Sequence, residues 1–299
     1  MLRNEPPATP SDAEARARLV WLPPAVAASA GLAYLAAELY TLGHPGFPLD
    51  DSFIHLQFAK NLAAGRGLSY NPGDIVTGST APLWTALLAL LFYLPGSVFL
   101  WAKLAGIALS AAGADATRRL GRDLGLAPAL ALLAALVTAI TGPLAWAAVS
   151  GMEVPLFVVL SLWGMILHGR ERAAGGEARP PLSLAVLALG ALARPEGLLL
   201  LALAVADRLL VFRRPPESPE GAEETGLVWA RVPWRRLAIG LLLAALVLAG
   251  PLLFYRLAGG TFLPTTYAAK GAAVRRLLPS ASYLNVILGI LFVPQPFTM

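Results

Sequence analysis

The amino-acid sequence predicts an all-α polytopic membrane protein, on the strength of its composition and its long uncharged segments. Of the 299 residues, 57% are hydrophobic and only 14% are charged, and the mean hydropathy is +0.65. Soluble domains carry about 25% charged residues, so this composition excludes an ordinary soluble protein and a disordered chain. Five uncharged runs reach the roughly 18 residues typical of a membrane-spanning helix: Leu19–Ala37, Ile75–Ala102, Leu124–Met152, Leu237–Tyr255 and Leu277–Met299.

The amino-terminal part predicts a tail, one anchor helix and a long loop. Residues 1–18 are polar and contain three arginines. Because basic residues concentrate on the cytoplasmic side of membrane proteins, we interpret 1–18 as a cytoplasmic tail, about 19–41 as an outward helix and 43–98 as an external loop. A crossing by residues 81–98 would place the next basic cluster outside, so we predict a helix in the outer interface there. Its predicted aromatic anchors are Trp84, Tyr93 and Trp101.

The same charge rule orders the rest of the transmembrane module, which we place over 19–299. Further spans are predicted over about 99–117 (inward), 127–148 (outward), 154–168 (inward) and 237–256 (outward). Two short apolar segments form a hairpin around Arg194, and 213–236 is a cytoplasmic linker rich in proline and glutamate. Most of the 23 basic residues then fall on the cytoplasmic side, which explains the pI near 9.8 without a nucleic-acid partner.

Polar residues gather at the predicted external ends of these helices. They are Asp50, Asp51, the turn 70–74, Glu153, Arg194, Glu196, Thr265, Thr266 and Lys270. A charge in mid-bilayer costs about 2.5 kcal/mol or more, so such a group favours a cavity facing the outer leaflet. Lys103, near another predicted helix end, is explained by its long stem reaching to the interface.

The acidic pair Asp50 and Asp51 opens a predicted amphipathic helix, with Asp51 and His55 one turn apart. Adjacent residues on a helix point in different directions, so the pair is not a dyad that shares one proton. One of the two carboxylates serves as a catalytic base, or Asp50 is the helix N-cap and Asp51 a first-turn charge favourable to the helix dipole. Both interpretations stay open at this point.

Several segments resemble the first external loop and later motifs of the bacterial GT-C superfamily of membrane glycosyltransferases, especially its arabinofuranosyltransferase-like branch, related to protein mannosyltransferases. The loop segments are Asp50–Ile54, Phe58–Leu68, Tyr70–Gly73, Thr77–Thr80 and Pro82–Trp84. The later ones are Ser150–Glu153, Arg194–Gly197 and Leu263–Thr266 with Ala269 and Lys270. Two features depart from the family pattern. Pro264-Thr265-Thr266 stands where Pro-Asn-Thr is expected, and the chain ends inside an apolar segment, so we expect further spans beyond it.

The resemblance implies a GT-C-like helix bundle with amphipathic interfacial helices in the first external loop. It implies a hexosyl- or pentosyltransferase at the outer face of the bacterial cytoplasmic membrane, taking sugar from a polyprenyl-phosphate donor to a hydroxyl of a glycan, lipid or protein. An acid of the first loop would be the base, here Asp50 with Asp51 second, and Arg194 or Lys270 would hold the phosphate. Glu153, Glu196 and His55 are candidate substrate contacts, and a structural ion pair between Glu153 and Arg194 is equally open.

Metal and cofactor sites have little support in the sequence. There are no cysteines, and the three histidines, His44, His55 and His168, are too scattered for a metal-site spacing. We predict no metal ligand and no cofactor besides the lipid-linked donor, and a divalent-metal requirement stays open. The alternatives to a transferase are a transporter or lipid flippase and a non-catalytic remnant of a glycosyltransferase.

Overall fold

The computed structural model describes residues 10–173, 181–209, 212–213, 228–229, 233–262 and 264 of the chain. Within these ranges the chain is predominantly helical, as the sequence predicts. The helices are α1 (Pro10–Leu42), α2 (Asp50–Ala63), α3 (Pro82–Leu91), α4 (Val98–Asp123), α5 (Pro128–Ile140), α6 (Gly142–Val149), α7 (Val154–Ala173), α8 (Ser183–Ala193), α9 (Gly197–Leu209) and α10 (Trp234–Gly259). Two antiparallel strands of two residues each, β1 (Phe212–Arg213) and β2 (Val228–Trp229), pair at the start of the predicted linker and within it.

Four of these helices are long and apolar enough to cross a bilayer. They are Leu19–Leu42 of α1, together with α4, α7 and α10. Helices α5 and α6 make a fifth span if they are counted as one element with a 53° bend. The bend follows from Pro143, which has no N–H to donate to the preceding turn and whose ring obstructs a continuous helix. The described chain is therefore a multi-pass membrane protein.

Helix ends differ from the predicted ones where charged side chains extend them. Helix α4 continues to Asp123 instead of ending near residue 117, because Asp115 pairs with Arg118 (2.6 Å) and Arg119 (2.6 Å) one turn further on. Helix α7 likewise continues to Ala173, and the backbone of α1 is already helical from Pro10, inside the predicted tail.

Helix α3 occupies part of the segment predicted to lie in the interface. Its 10 residues measure about 15 Å, half the thickness of the bilayer core, so it is too short to cross. It packs against α2, α4 and α8. Trp84 is buried in this core, so its assignment as an interfacial anchor was wrong, whereas Tyr93 is 71% exposed.

Helices α7 and α8 run antiparallel, and polar contacts join them at both ends. Arg194 follows α8 and pairs with Glu153, which precedes α7. At the opposite end, Ser183 begins α8 and donates two hydrogen bonds to Glu171 in the last turn of α7. We call these the Glu153 end and the Glu171 end of the bundle. Helix α9 returns to the Glu171 end, where Arg208 pairs with Glu171, so α8 and α9 form the predicted hairpin.

Candidate functional site

The turn between α6 and α7 is held by three helices at once. Three successive backbone carbonyls each accept a hydrogen bond from a side chain of a different element. The pairs are Val149 with Lys103 of α4 (2.6 Å), Ser150 with Ser52 of α2 (2.7 Å) and Gly151 with Trp84 of α3 (2.9 Å). Glu153 is only two residues beyond the last of these carbonyls. The anchoring therefore fixes the backbone from which the Glu153 carboxylate extends.

Gly151 allows the turn to pass close to an aromatic cluster. Its φ of +79° lies in the left-handed region, which L side chains rarely adopt. A Cβ at this position would meet the ring of Phe47 at 2.5 Å. That ring packs edge-on against Phe53 and Phe99, with centroids 5.7 and 5.0 Å away, and cannot easily move aside.

Lys103 is completely buried, and the sequence did not indicate this. Its ammonium group lies 2.7 Å from Oε2 of Glu38, and Oε1 of Glu38 accepts the N–H of Gly46 at 2.8 Å. The interpretation of Lys103 as a side chain reaching to the interface was therefore wrong. A buried ammonium group requires a paired charge, and the only available signal was that Glu38 and Lys103 each interrupt an apolar helix near one predicted membrane face.

Glu153 is the centre of the charged cluster at its end of the bundle. The residue is 5% exposed, and its Oε1 accepts a charge-assisted hydrogen bond from Nη1 of Arg194 at 2.7 Å. Its Oε2 lies 3.5 Å from Nε2 of His55, which is equally buried. The ion pair that the sequence left open is thus present. Within the described residues, neither Nδ1 of His55 nor Oε2 of Glu153 has a hydrogen-bond partner.

The electrostatic environment keeps Glu153 and Arg194 charged. Burial alone would raise the pKa of Glu153, but the interaction with His55, a backbone hydrogen bond and the charge of Arg194 together lower it below its ordinary value of 4.5. The hydrogen bonds that Arg194 donates to Glu196, with the charges of both carboxylates, outweigh burial and raise the pKa of Arg194. Arg194 is therefore a permanent cation at this end.

Arg194 is also positioned by its place in the hairpin. It is the C-cap of α8, with extended backbone angles imposed by Pro195 behind it, and its N–H donates to Gly190 at 2.8 Å. Its guanidinium group contacts a second carboxylate, Glu196, through Nε (3.3 Å) and Nη2 (3.0 Å). The Glu196 side chain is 58% exposed, in contrast to the buried Glu153.

Asp50 and Asp51 are the first two residues of α2, and both are exposed. Neither side chain has a hydrogen bond or ion pair with another described residue. The N-cap is Leu49, with no side-chain cap, so the interpretation of Asp50 as N-cap was wrong. Both carboxylates lie in the first turn, where the helix dipole favours negative charge.

Two contacts place this acidic pair at the Glu153 end. Ser52 follows it directly and donates to the Ser150 carbonyl, and His55, one turn after Asp51, contacts Glu153. The structure thus brings Asp50, Asp51, His55, Glu153, Arg194 and Glu196 to one end of the bundle. Lys270, Thr265 and Thr266 lie outside the described residues. In the described ranges, no three His, Asp or Glu side chains are grouped so that they could hold a metal ion.

The charged residues at the Glu171 end pair with one another and join helices. Glu171 is buried and pairs with Arg208 while accepting both hydrogen bonds of Ser183, at 2.9 Å from its N–H and 2.8 Å from its hydroxyl. His168 bonds to Asp207 at 2.8 Å, and Asp207 also pairs with Arg172 at 3.1 Å. These contacts join α7, α8 and α9 and leave the carboxylates occupied.

Comparison with known protein families, curated proteins and solved structures finds no match for the chain. The fold and the site therefore define the class of protein: a multi-pass, all-α membrane protein with a charged cluster at one end of its helix bundle. Within that cluster, the half-buried ion pair of Arg194 with Glu153 is at the same end as the exposed carboxylates of Asp50 and Asp51, which have no partner among the described residues.

Proposed function

We propose that the protein is a glycosyltransferase that moves a sugar from a polyprenyl-phosphate donor to an acceptor hydroxyl at the outer face of the cytoplasmic membrane. The observation that carries the proposal is the meeting of three separate sequence segments at the Glu153 end. They are Asp50–Ile54, Ser150–Glu153 and Arg194–Gly197, and they are joined by the contacts of Ser52, His55 and Arg194. All three are among the segments that resemble GT-C enzymes.

The residues at this end suit the two charges that such a transfer creates. Asp50 or Asp51, which is exposed and has no ion-pair partner among the described residues, accepts the proton of the acceptor hydroxyl as the hydroxyl oxygen attacks the anomeric carbon. The new glycosidic bond forms as the bond from that carbon to the phosphate oxygen breaks, with inversion, and polyprenyl phosphate leaves. Arg194 stabilises the negative charge of the departing phosphate. Glu153 and His55 orient Arg194 from the buried side.

The experiment tests purified protein with labelled polyprenyl-phosphate hexose and pentose donors and a mixture of glycan and lipid acceptors. We expect the double variant Asp50→Asn/Asp51→Asn to lose transfer by about 10²- to 10⁴-fold, the usual contribution of a general base. Asp74→Asn is the matched control, because Asp74 is another exposed carboxylate of the same loop. The control should transfer within about twofold of the wild type. Undiminished transfer by the folded double variant, or none by the wild type with any donor, contradicts the proposal.

One feature favours the second candidate, a transporter or flippase. The 53° break between α5 and α6 is the kind of discontinuity on which transporters build binding sites. However, the hydroxyls beside the break are used within the helix: Thr138 donates to Ala134 at 2.9 Å and Thr141 to Val137 at 2.6 Å. The break therefore offers fewer polar groups to a substrate than the Glu153 end does.

A further inference from the structure

Arg194 binds two carboxylates of very different character. Glu153 contacts Nη1 and is held by burial, with its side chain 7% exposed. Glu196 contacts the opposite edge of the guanidinium group, Nε and Nη2, with both of its oxygens, and its side chain is 58% exposed. The first pair fixes the guanidinium group, while the second occupies its outward edge.

The edge formed by Nε and Nη2 is the one that arginine uses for two-point recognition of carboxylates and phosphates. A solvent-exposed ion pair contributes little, because water competes for both partners. Breaking a pair with a buried carboxylate costs much more. An incoming anion therefore displaces Glu196 in preference to Glu153, and Arg194 keeps its position during the exchange.

We propose that Glu196 is an exchangeable occupant of an anion site on Arg194, displaced when a phosphate group binds there. The identification of that phosphate with the headgroup of a lipid-linked sugar rests on the proposed function. The exchange breaks no covalent bond: Glu196 turns towards solvent and two phosphate oxygens take the place of its two carboxylate oxygens. Glu196 thereby sets the affinity and the selectivity of the site, because weakly binding anions do not displace it.

The test measures binding of phosphate probes to purified protein by calorimetry in detergent micelles. The probes are inorganic phosphate, inorganic pyrophosphate and undecaprenyl phosphate incorporated in the micelles. We expect Glu196→Gln to bind at least one phosphate probe about 5-fold more tightly, since it removes a weak competing ion pair. Arg194→Lys/Glu196→Gln, which keeps the charge but loses the two-point edge, should lose this gain. Asp74→Asn controls for the loss of one exposed negative charge from the protein surface.

Unchanged or weaker phosphate binding in Glu196→Gln overturns the inference, and so does an equal gain in Asp74→Asn. A gain with undecaprenyl phosphate alone assigns the site to a lipid headgroup, and a gain with the inorganic probes alone assigns it to a free phosphate; both support the exchange. The transfer assay separates this inference from the proposed function. If Glu196→Gln binds phosphate more tightly but the wild type transfers no sugar, the inference is supported and the proposed function is rejected. If the wild type transfers sugar but Glu196→Gln binds phosphate no more tightly, the proposed function is supported and the inference is rejected.

Discussion

Replacement of Lys103 by methionine tests the anchoring of the Glu153 end most directly. Methionine keeps most of the aliphatic stem but removes the charge that lies 2.7 Å from Glu38 and the donor that lies 2.6 Å from the Val149 carbonyl. Loss of one partner of a buried pair costs about 3–5 kcal/mol. The Glu38 side chain retains 17% exposure and one backbone hydrogen bond, so we expect a value near the lower limit, about 3 kcal/mol.

The measurement is the apparent thermal unfolding midpoint of purified protein in detergent. A loss of about 3 kcal/mol lowers the midpoint by roughly 6–12 °C for a chain of this size. In Lys103→Met/Glu38→Gln the uncompensated charge of Glu38 is also removed, and the main remaining defect is that the Val149 carbonyl lacks a donor. At least half of the lost unfolding free energy should therefore be recovered. Lys60→Met is the matched control, because Lys60 is exposed, and it should change the midpoint by less than about 2 °C. An unchanged unfolding midpoint in Lys103→Met refutes the reasoning, and so does a midpoint in Lys103→Met/Glu38→Gln as low as that of Lys103→Met.

Two further predictions concern the same turn. Gly151→Ala forces alanine to φ +79° and against the ring of Phe47, so it should lower the free energy of unfolding by about 2–5 kcal/mol. Gly169→Ala is the control, because Gly169 is at an exposed helical position with nothing within 4 Å, and it should be neutral or stabilising. Equal unfolding midpoints for the two variants would contradict this prediction. Because the pKa of Glu153 is lowered in the folded protein, its stabilisation is present above about pH 4.5 and is lost as the pH falls through the folded pKa. The midpoint difference between wild type and Glu153→Gln should therefore narrow on acidification below that pH, and a constant difference down to about pH 3 would exclude this role.

The helical architecture was predictable because hydropathy indicates which segments are apolar enough to cross a membrane and charged residues indicate where those segments end. Hydropathy and the charge rule together placed α1, α4, α7 and α10 close to their actual positions, and the two short apolar segments around Arg194 are the helices α8 and α9. Helix ends were less predictable, since pairs such as Asp115 with Arg119 extend a helix beyond its apolar part. The bend at Pro143 also depends on a local steric effect that a hydropathy average does not register.

The site could be predicted only as a group of polar residues, without its internal partners. Sequence patterns placed Glu153 and Arg194 in the same region. Which of the two carboxylates that pair with Arg194 is buried, however, depends on tertiary packing. Lys103 and Trp84 were misassigned for the same reason: each sits in an apolar stretch that suggests contact with lipid, yet both donate to the backbone of the turn 149–151. A hydrogen-bond partner distant in sequence leaves no local signal.

The contrast between the two ends of the bundle bears on where chemistry takes place. Four carboxylates in the C-terminal halves of α4, α7 and α9 are all paired with arginine: Asp115, Asp123, Glu171 and Asp207. At the Glu153 end, Asp50 and Asp51 are exposed and have no ion-pair partner among the residues that the structure describes. A carboxylate that is already paired must break a contact before it can accept a proton or bind a ligand. These two carboxylates lie at the same end of the bundle as Arg194, so a reaction that needs a base and a cation has both kinds of group at this end.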